Sequence, residues 1–376
     1  MKPKSYTVLQ LADYGGPYAG NFIASLMALD EKLKSLGWRQ VLVFSDIAKK
    51  TAWLKDLIDK RTTVYLVPKN IRLTSNIVDI AKKENVSIMH THFSTFDMPA
   101  VGAQLLLNRG KKIRLFRHVH SAFPVVPTFG RRLKDLIKFR LFGNLYHSIY
   151  VSNALFESDL SRGLRTNRFD ILSNGVDMTR LRGSGYRRDC LEKDYGLNNS
   201  HDNLLTFGWD PVAKGVDITL KACLKLAAGR KNFNLIIVGE QRLKKYVEEI
   251  FGKSIPYWLK ILTSQQDVAR LYQIADIFIS ASRYEGFSYS ACEAMASGLP
   301  VIASDIEGLG WAHKAPRSHF FGQGDIDDLA RKIENILSIG REERKTIYGE
   351  NADFIKNNYS VGKWAEKLLS IYVRNV

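Results

Sequence analysis

The sequence predicts an α/β protein built from two doubly wound parallel sheets. Three observations support this prediction. Short apolar runs of strand length alternate with helical patterns, and this alternation restarts after a polar segment that begins near residue 178. The third observation is length, because 376 residues exceed one typical hydrophobic core. We therefore expect two domains that face a central cleft, since open α/β sheets bind ligands at their strand ends.

The first half supplies the first sheet. Apolar runs predict strands over 6–12, 39–45, 62–68, 86–92, 112–120 and 147–153. A glycine loop follows the first of these strands and opens a helix that spans about 20–36. The segment 169–177 ends in an Asn-Gly turn, and we place the first domain at residues 1–180.

The second half repeats the pattern after the polar, glycine-bearing segment 178–200. Strands are predicted over 203–209, 232–240, 257–263, 275–282 and 299–305. We place the second domain at residues 181–355 and a helical tail at 356–376.

The charge of the chain is uneven. The net charge is +17, and residues 1–175 hold 27 Lys and Arg against 13 Asp and Glu. Residues 109–140 alone hold ten cations and one acid. Such a field favours a polyanionic partner, namely nucleic acid, an anionic membrane surface or a phosphorylated substrate.

Other counts bear on the compartment. The three cysteines lack metal-type spacing, which indicates a reducing environment. The first apolar run is too short for a signal peptide, and no run is long enough to cross a bilayer. We expect a cytoplasmic protein, peripheral on the inner face of the cell membrane.

The expected membrane element is the basic amphipathic helix at 130–146. Its cations include Arg131, Arg132, Lys134 and Lys138, and its leucines recur at helical spacing. Such a helix is typical of contact with an anionic membrane surface. The alternative is an ordinary domain helix whose apolar stripe packs on the sheet.

Two glutamates mark the candidate site of the second domain. Glu285 lies in the loop that follows the strand 275–282, and Glu293 lies in the alanine-rich helix after it. A carboxylate accepts two or more hydrogen bonds, so each can hold vicinal sugar hydroxyls. The amides at the start of this helix suit a phosphate. The spacing alone also fits one capping and one solvated glutamate.

At this point the residues resemble a known family. The stretch 283–304 is similar to the E-x7-E signature of retaining glycosyltransferases of family four, which have the GT-B fold. The segments ending in "SNGVD" and "FGWDPVAKGVDITLKA" are similar to further segments of that family. The resemblance covers most of 150–310. It implies a tail helix that packs back on the first domain.

The resemblance assigns roles in donor binding. Glu293 would hold the nucleotide ribose, Glu285 would hold a donor-sugar hydroxyl, and Lys214 would contact the diphosphate. Backbone amides of Gly286, Phe287 and Ser288 would contact the sugar and diphosphate. The family's usual arginine is replaced by Trp209, so Arg283 or a backbone donor would have to substitute for it.

The first domain would complete the site. Gly15 and Gly16 match the family's glycine loop in position, and His120 best matches its active-site histidine. A histidine there can donate to a sugar hydroxyl or stabilise developing charge. Two His-x-His pairs, at 90–92 and 118–120, also suggest a metal centre. The family needs no bound metal, so we expect no metal and no cofactor beside the nucleotide sugar.

The sequence therefore predicts a retaining transferase that moves a sugar from a nucleoside-diphosphate donor to an acceptor hydroxyl. The expected acceptor is a saccharide or a lipid-linked saccharide in surface polysaccharide biosynthesis. The expected catalytic residues are His120, Glu285 and Lys214. One alternative is a glycoside hydrolase that uses Glu285 and Glu293 as its carboxylate pair. Another is a basic nucleic-acid-binding protein, against which stands the lack of any reader motif.

Overall fold

The computed structural model describes residues 5–60, 62–108, 112–121, 129–182, 185–252 and 254–376. Within the helix at 129–142, its description excludes the side chains of residues 129, 131, 132, 134 and 137. The chain divides into two compact units. The first unit is Met1–Gly175 with Val361–Val376, and the second unit is Val176–Ser360.

The first unit contains a seven-stranded sheet. Its strands are β1 Thr7–Ala12, β2 Arg39–Ser45, β3 Val64–Val67, β4 Ile88–His92, β5 Arg114–Val119, β6 His147–Tyr150 and β7 Phe169–Ile171. Its helices are α1 Gly20–Ser35, α2 Ala52–Asp59, α3 Leu73–Lys83, α4 Asp97–Leu107, α5 Phe129–Phe142, α6 Asn153–Ser161 and, from the end of the chain, α15 Val361–Asn375.

The strands of this sheet are parallel and follow the order β3-β2-β1-β4-β5-β6-β7. The order reverses between β1 and β4, so the loops that leave these two strands diverge to opposite sides of the sheet. The crevice between diverging loops is where doubly wound sheets bind ligands. In this unit the loop after β1 carries Gly15 and Gly16, and β4 ends at His92.

The tail helix α15 packs within the first unit, against α1. Tyr372 is fully buried, and Trp364 and Leu368 lie in the same apolar cluster as Val8. Burial of such side chains is the main favourable term in packing a helix on a sheet. The amphipathic pattern of the tail thus has its partner in the first unit.

The second unit contains a six-stranded sheet. Its strands are β8 Asp202–Phe207, β9 Phe233–Val238, β10 Leu259–Leu262, β11 Ile277–Ser280, β12 Val301–Ser304 and β13 His319–Phe321. Its helices are α7 Arg188–Asp194, α8 Val216–Gly229, α9 Gln241–Phe251, α10 Ala269–Ile274, α11 Tyr289–Ala296, α12 Ile326–Leu337, α13 Arg341–Tyr348 and α14 Glu350–Tyr359.

This second sheet is also parallel, in the order β10-β9-β8-β11-β12-β13. Its strands are nearly continuous apolar runs, as expected when helices cover both faces. The order reverses between β8 and β11, which places the loops after these strands at the ligand-binding edge. The predicted architecture of two doubly wound parallel sheets is confirmed.

Among the residues that the structure describes, no helix combines the length and the apolar character that crossing a bilayer requires.

Candidate functional site

The candidate site of the second unit lies where the strand order reverses. The loop after β8 carries Lys214, and the loop after β11 carries Ser282 and Glu285. The ammonium of Lys214 forms an ion pair with the carboxylate of Glu285. The hydroxyl of Ser282 donates to the same carboxylate oxygen at 2.9 Å. The structure therefore brings together the two predicted catalytic side chains of this unit.

Two glycines allow this pairing, because backbone approaches each of them closely. Gly215 has a φ of +62°, and a Cβ there would lie 1.9 Å from the carbonyl oxygen of Ala281. A Cβ on Gly308 would lie 2.0 Å from the carbonyl oxygen of Glu285. No side chain fits at either distance. These contacts fix the backbone on which Lys214 and Glu285 stand.

Trp209 occupies the position at which the resembled family has an arginine. Its side chain is 54% exposed, and its ring centroid lies 5.1 Å from Nζ of Lys214. Arg283, one expected substitute, is instead held by Asp217 through two hydrogen bonds of 2.7 and 2.8 Å. The structure thus places an aromatic ring, and not a second cation, beside Lys214.

Glu293 is buried in α11 and is held by two side chains that the sequence analysis did not identify. The hydroxyl of Tyr272 donates to its Oε2 at 2.8 Å, and Nη1 of Arg180 donates to its Oε1 at 2.9 Å. Burial, with the Glu293 carboxylate beside it, raises the pKa of Tyr272 well above its usual value, so its hydroxyl remains a donor. Glu293 is therefore a fixed carboxylate and not a solvated one.

The contact between Arg180 and Glu293 cannot be inferred from local sequence. Arg180 lies in a 3₁₀ helix, Met178–Leu181, within a segment whose polar composition is typical of a linker. The separation of 113 residues from Glu293 leaves no trace in local spacing.

The amino end of α11 carries the remaining donor-binding candidates. Ser288 caps the helix by accepting a hydrogen bond from the amide of Ala291 at 3.4 Å. Phe287 is buried, with its ring centroid 5.2 Å from that of Trp311. Gly286 joins Phe287 to Glu285. The helix start is thus fixed by a cap on one side and an aromatic anchor on the other.

In the first unit, Asp13 holds the glycine loop in place. Its Oδ1 accepts from the hydroxyl of Ser45 at 2.5 Å, and its Oδ2 accepts from the hydroxyl of Thr95 at 2.7 Å. Ser45 ends β2, and Thr95 lies in the 3₁₀ helix that follows β4. Asp13 is not among the site residues that the sequence predicts. It ties the loop after β1 to the ends of both neighbouring strands.

The two glycines of this loop lie against side chains. A Cβ on Gly15 would lie 2.8 Å from Cγ1 of Ile47. The carbonyl oxygen of Gly16 accepts from Nε1 of Trp53 at 2.9 Å. These contacts keep the loop backbone close to the carboxyl edge of the sheet, where it can meet a ligand.

His120 follows β5 and makes two side-chain contacts. Its Nε2 lies 3.0 Å from Nδ1 of His92, and its Nδ1 lies 3.2 Å from Oδ1 of Asn174. Burial lowers the pKa of His120 to about 4, against a smaller raising effect of the Asn174 contact. His120 is therefore a neutral imidazole at pH 7. The structure places it at the same sheet edge as Gly15 and Gly16.

The other predicted histidines form a buried stack with it. Ring nitrogens of His90, His92 and His118 lie within 4.8 Å of one another, which is close enough to raise the question of a metal ion. The rings of His90 and His118 are nearly parallel, at 5°, so their lone pairs do not converge on one point. Both ring nitrogens of His92 already contact other side chains. This geometry fits a stack of neutral imidazoles, and burial lowers the pKa of all three well below the usual value.

The four predicted membrane residues all lie in α5. The side chains of Arg131, Arg132 and Lys134 lie outside the described residues. Lys138 is described, and its ammonium lies 3.6 Å from the buried carboxylate of Asp97. Burial lowers the pKa of Lys138. Its placement therefore speaks against a membrane contact for Lys138.

The apolar stripe of α5 is divided. Phe139 is buried, whereas Leu133, Leu136 and Leu141 are exposed, the last at 65%. Burial of Phe139 fits a helix that packs on its own domain. The exposure of the three leucines leaves an apolar surface on α5.

Residues 191–354 match the sequence model of one family, the glycosyl transferases group 1. The whole chain is similar to an uncharacterized glycosyltransferase of Methanocaldococcus jannaschii, with 26% identity over 95% of both chains. A GDP-mannose:cellobiosyl-diphosphopolyprenol alpha-mannosyltransferase of Xanthomonas campestris is 33% identical over 37% of this chain and 35% of its own length.

The fold also has counterparts among solved structures. Anabaena HepE in complex with UDP and glucose has a TM-score of 0.79 to this chain, at 17% identity, with 98% of this chain and 99% of that chain covered. At this identity the likeness is one of fold. The matched family segment contains Lys214, Glu285 and Glu293 of the second unit's site, and Arg180 precedes that segment.

Proposed function

We propose a function from one premise, namely that the chain belongs to the glycosyl transferases of group 1 and has the GT-B fold. The proposed reaction moves a sugar from a nucleoside-diphosphate sugar to an acceptor hydroxyl, with retention at the anomeric carbon. The observation that carries the proposal is the placement of Lys214, Glu285 and Glu293. One ammonium and two carboxylates lie in the loops and helix that follow the two strands where the order reverses.

Glu293 would bind the ribose of the donor. Its carboxylate is oriented by Tyr272 and Arg180, so little conformational freedom is lost when it accepts from a pair of vicinal hydroxyls. The backbone amides at the start of α11, from Gly286 to Ser288, would meet the diphosphate, which the helix dipole favours there.

Lys214 would change partners when the donor binds. Its ammonium is paired with Glu285, and a diphosphate carries more negative charge than one carboxylate. Drawing the ammonium to the phosphate would leave Glu285 able to accept from a hydroxyl of the donor sugar. Donor binding and sugar recognition would thus be coupled through a single ion pair.

The transfer itself requires one bond to form and one to break. The acceptor oxygen bonds to the anomeric carbon as the bond from that carbon to the phosphate oxygen breaks, on the same face of the sugar. The acceptor proton passes to the departing phosphate, whose charge Lys214 stabilises. His120 would hold a substrate hydroxyl through a ring nitrogen. Rate enhancement would come from positioning and electrostatics.

Two observations support a lipid-linked acceptor, namely the substrate of one relative and the surface residues of α5. The Xanthomonas mannosyltransferase acts on a diphosphopolyprenol-linked saccharide. The exposed leucines of α5 and the cations Arg131, Arg132 and Lys134 suit an anionic lipid surface. We propose a lipid-linked saccharide as acceptor, met at a membrane surface.

The hydrolase alternative finds less support in the geometry. A glycosidase needs one carboxyl group that carries a proton, commonly in an apolar pocket. Glu285 is paired with Lys214, and Glu293 is paired with Arg180. Each carboxylate is thus in contact with a cation, which is not the apolar pocket that a general acid commonly occupies.

A transfer assay tests the proposed function. The protein is incubated with nucleotide sugars and a polyprenyl-diphosphate saccharide, and released nucleoside diphosphate and extended lipid are measured together. Product NMR gives the anomeric configuration. We expect nucleotide release that depends on the acceptor, a retained configuration, and loss of both in Lys214→Met. Release of free sugar from a glycan without any nucleotide would overturn the proposal in favour of a hydrolase.

A further inference from the structure

A series of hydrogen bonds, which we call the relay, crosses the first unit from Leu26 through Gln40, Gln10 and His92 to His120. It begins at the backbone carbonyl of Leu26 in α1, which accepts from Nε2 of Gln40 at 2.9 Å. Oε1 of Gln40 lies 3.3 Å from Nε2 of Gln10, and Oε1 of Gln10 lies 2.9 Å from Nε2 of His92. Nδ1 of His92 then lies 3.0 Å from Nε2 of His120. Gln40, Gln10 and His92 are buried.

The backbone carbonyl at one end of the relay determines which group donates and which accepts in each of its hydrogen bonds. A backbone carbonyl can only accept, so Gln40 must present its amide N–H to Leu26 and its oxygen to Gln10. Gln10 must then present its N–H to Gln40 and its oxygen to His92. His92 must therefore carry its proton on Nε2 and donate it to Gln10. Any reversal places two acceptors against each other in a buried site.

A second branch holds the amide of Gln10 in the same orientation. The other N–H of Gln10 lies 3.2 Å from the hydroxyl oxygen of Tyr372. That hydroxyl lies 2.5 Å from Nδ1 of His90 and can donate to it. Both N–H groups of Gln10 thus have acceptors, and its oxygen remains for His92.

The tautomer of His92 determines which ring nitrogen of His120 carries the proton. A neutral His92 with its proton on Nε2 has a bare Nδ1, which can only accept. The nitrogen opposite it, Nε2 of His120, must therefore carry the proton of a neutral His120. Nδ1 of His120 is then bare. The structure places Oδ1 of Asn174 at 3.2 Å from this nitrogen, and a half turn of that amide, whose nitrogen and oxygen are interchangeable, would bring its N–H group to the bare Nδ1.

We propose that Gln10, Gln40 and His92 are positioning residues that fix the tautomer of His120, with the proton on Nε2, so that Nδ1 can accept a hydrogen bond from a substrate hydroxyl that displaces the Asn174 amide. The role of His120 in transfer rests on the proposed function, whereas its tautomer does not. The consequence is a specificity rule. His120 accepts from a substrate hydroxyl and does not donate to one at neutral pH, which replaces the expectation that it donates to a sugar.

Nitrogen NMR of the histidine-labelled protein tests the tautomer directly. In the wild type we expect a pyridine-type shift for Nδ1 of His120 and a pyrrole-type shift for Nε2. His120→Gln supplies the assignment. The reverse pattern in the wild type would overturn the proposal, and this result does not depend on activity.

The variant Gln40→Met tests the relay, because Gln40 does not contact His120. Without its oxygen the amide of Gln10 can turn, His92 can take either tautomer, and the Nδ1 shift of His120 moves towards the pyrrole-type range. Gln104→Met is the matched control, since buried Gln104 also donates to a backbone carbonyl, that of Ile113 at 2.9 Å, outside the relay. An unchanged His120 pattern in Gln40→Met would overturn the relay.

Kinetics separate positioning from general stability. In Gln40→Met we expect kcat to fall in proportion to the population of the other His120 tautomer, with KM within about twofold. Gln104→Met should keep both. A normal His120 tautomer with no transfer by the wild type would overturn the proposed function alone. A shifted tautomer with unchanged kcat would overturn the role of the relay in catalysis.

Discussion

The α-carbon of Gly308 packs against the backbone of Glu285, so closely that a Cβ on Gly308 would lie 2.0 Å from the carbonyl oxygen of Glu285. The substitution Gly308→Ala must therefore push the loop that carries the Glu285 side chain. We expect kcat for transfer to fall about 10- to 100-fold, since displacements of about 1 Å have such effects. Gly310→Ala is the control, because nothing lies within 4 Å of its added Cβ. Equal activity of the two variants would contradict this role of Gly308.

Trp209 offers a test of the diphosphate contact. Its ring lies beside Lys214, where the resembled family has an arginine. Trp209→Arg adds a cation, so we expect the Kd for nucleoside diphosphate to fall by roughly tenfold at low salt, with a smaller change at high salt. Trp209→Phe keeps a ring and should bind like the wild type. Weaker binding by Trp209→Arg would show that the ring itself contacts the ligand.

The buried histidines predict a loss of stability in acid. Burial lowers the pKa of His120 from 6.5 to about 4, and it lowers the pKa of His90, His92 and His118 well below 6.5. The unfolded chain binds these protons first, so the stability is fully present above pH 6.5 and is lost as the pH falls towards 4. His120 alone accounts for about 3 kcal/mol.

Urea unfolding across this pH range measures the effect. His118→Phe is the informative variant, because the ring nitrogens of His118 have no hydrogen-bond partner among the described residues. Phenylalanine keeps the stacked ring and removes one titrating group. We expect a shallower dependence of the free energy of unfolding on pH. An unfolding midpoint that stays constant between pH 6.5 and pH 4 would contradict the neutral stack.

If α5 contacts a membrane, neutralising its basic residues should reduce lipid binding. Replacing Arg131, Arg132 and Lys134 by Gln should cost about 3 kcal/mol of binding to anionic vesicles, at about 1 kcal/mol for each cation. Co-sedimentation with such vesicles measures the partition. A triple Gln variant of the surface cations in α9, at positions 242, 244 and 245, removes the same charge elsewhere. Similar losses in both variants would point to net charge and not to α5.

Much of the fold follows from local pattern. Apolar runs bounded by glycine and polar residues mark the strands, and Ser288 begins its helix as a cap should. The three-residue strand β13, His319–Phe321, escapes such reasoning because it is too short to show a period. Its pairing with β12 is visible only in the folded sheet.

Some residues of the site could likewise be predicted from the sequence, whereas others could not. Glu285 could be predicted because it follows a predicted strand, and Lys214 because its segment resembles one of the family. Their ion pair, at the edge where the strand order reverses, is a finding of the structure. The partners of Glu293 could not be predicted, since Arg180 and Tyr272 reach it from distant positions in the chain. The relay to His120 depends on the register between neighbouring strands, which the sequence does not state.

The claim that the second unit binds a nucleoside diphosphate is tested most directly by calorimetric titration with UDP, GDP, ADP and dTDP. We expect one of them to bind the wild type. Glu293→Gln should weaken that binding about 10- to 100-fold, as for lost hydrogen bonds to a charged group. Glu192→Gln is the control, because Glu192 is a buried carboxylate paired with Arg188 at 2.8 Å and should leave binding unchanged. If none of the four nucleotides binds, or if Glu293→Gln binds as tightly as the wild type, the account is contradicted.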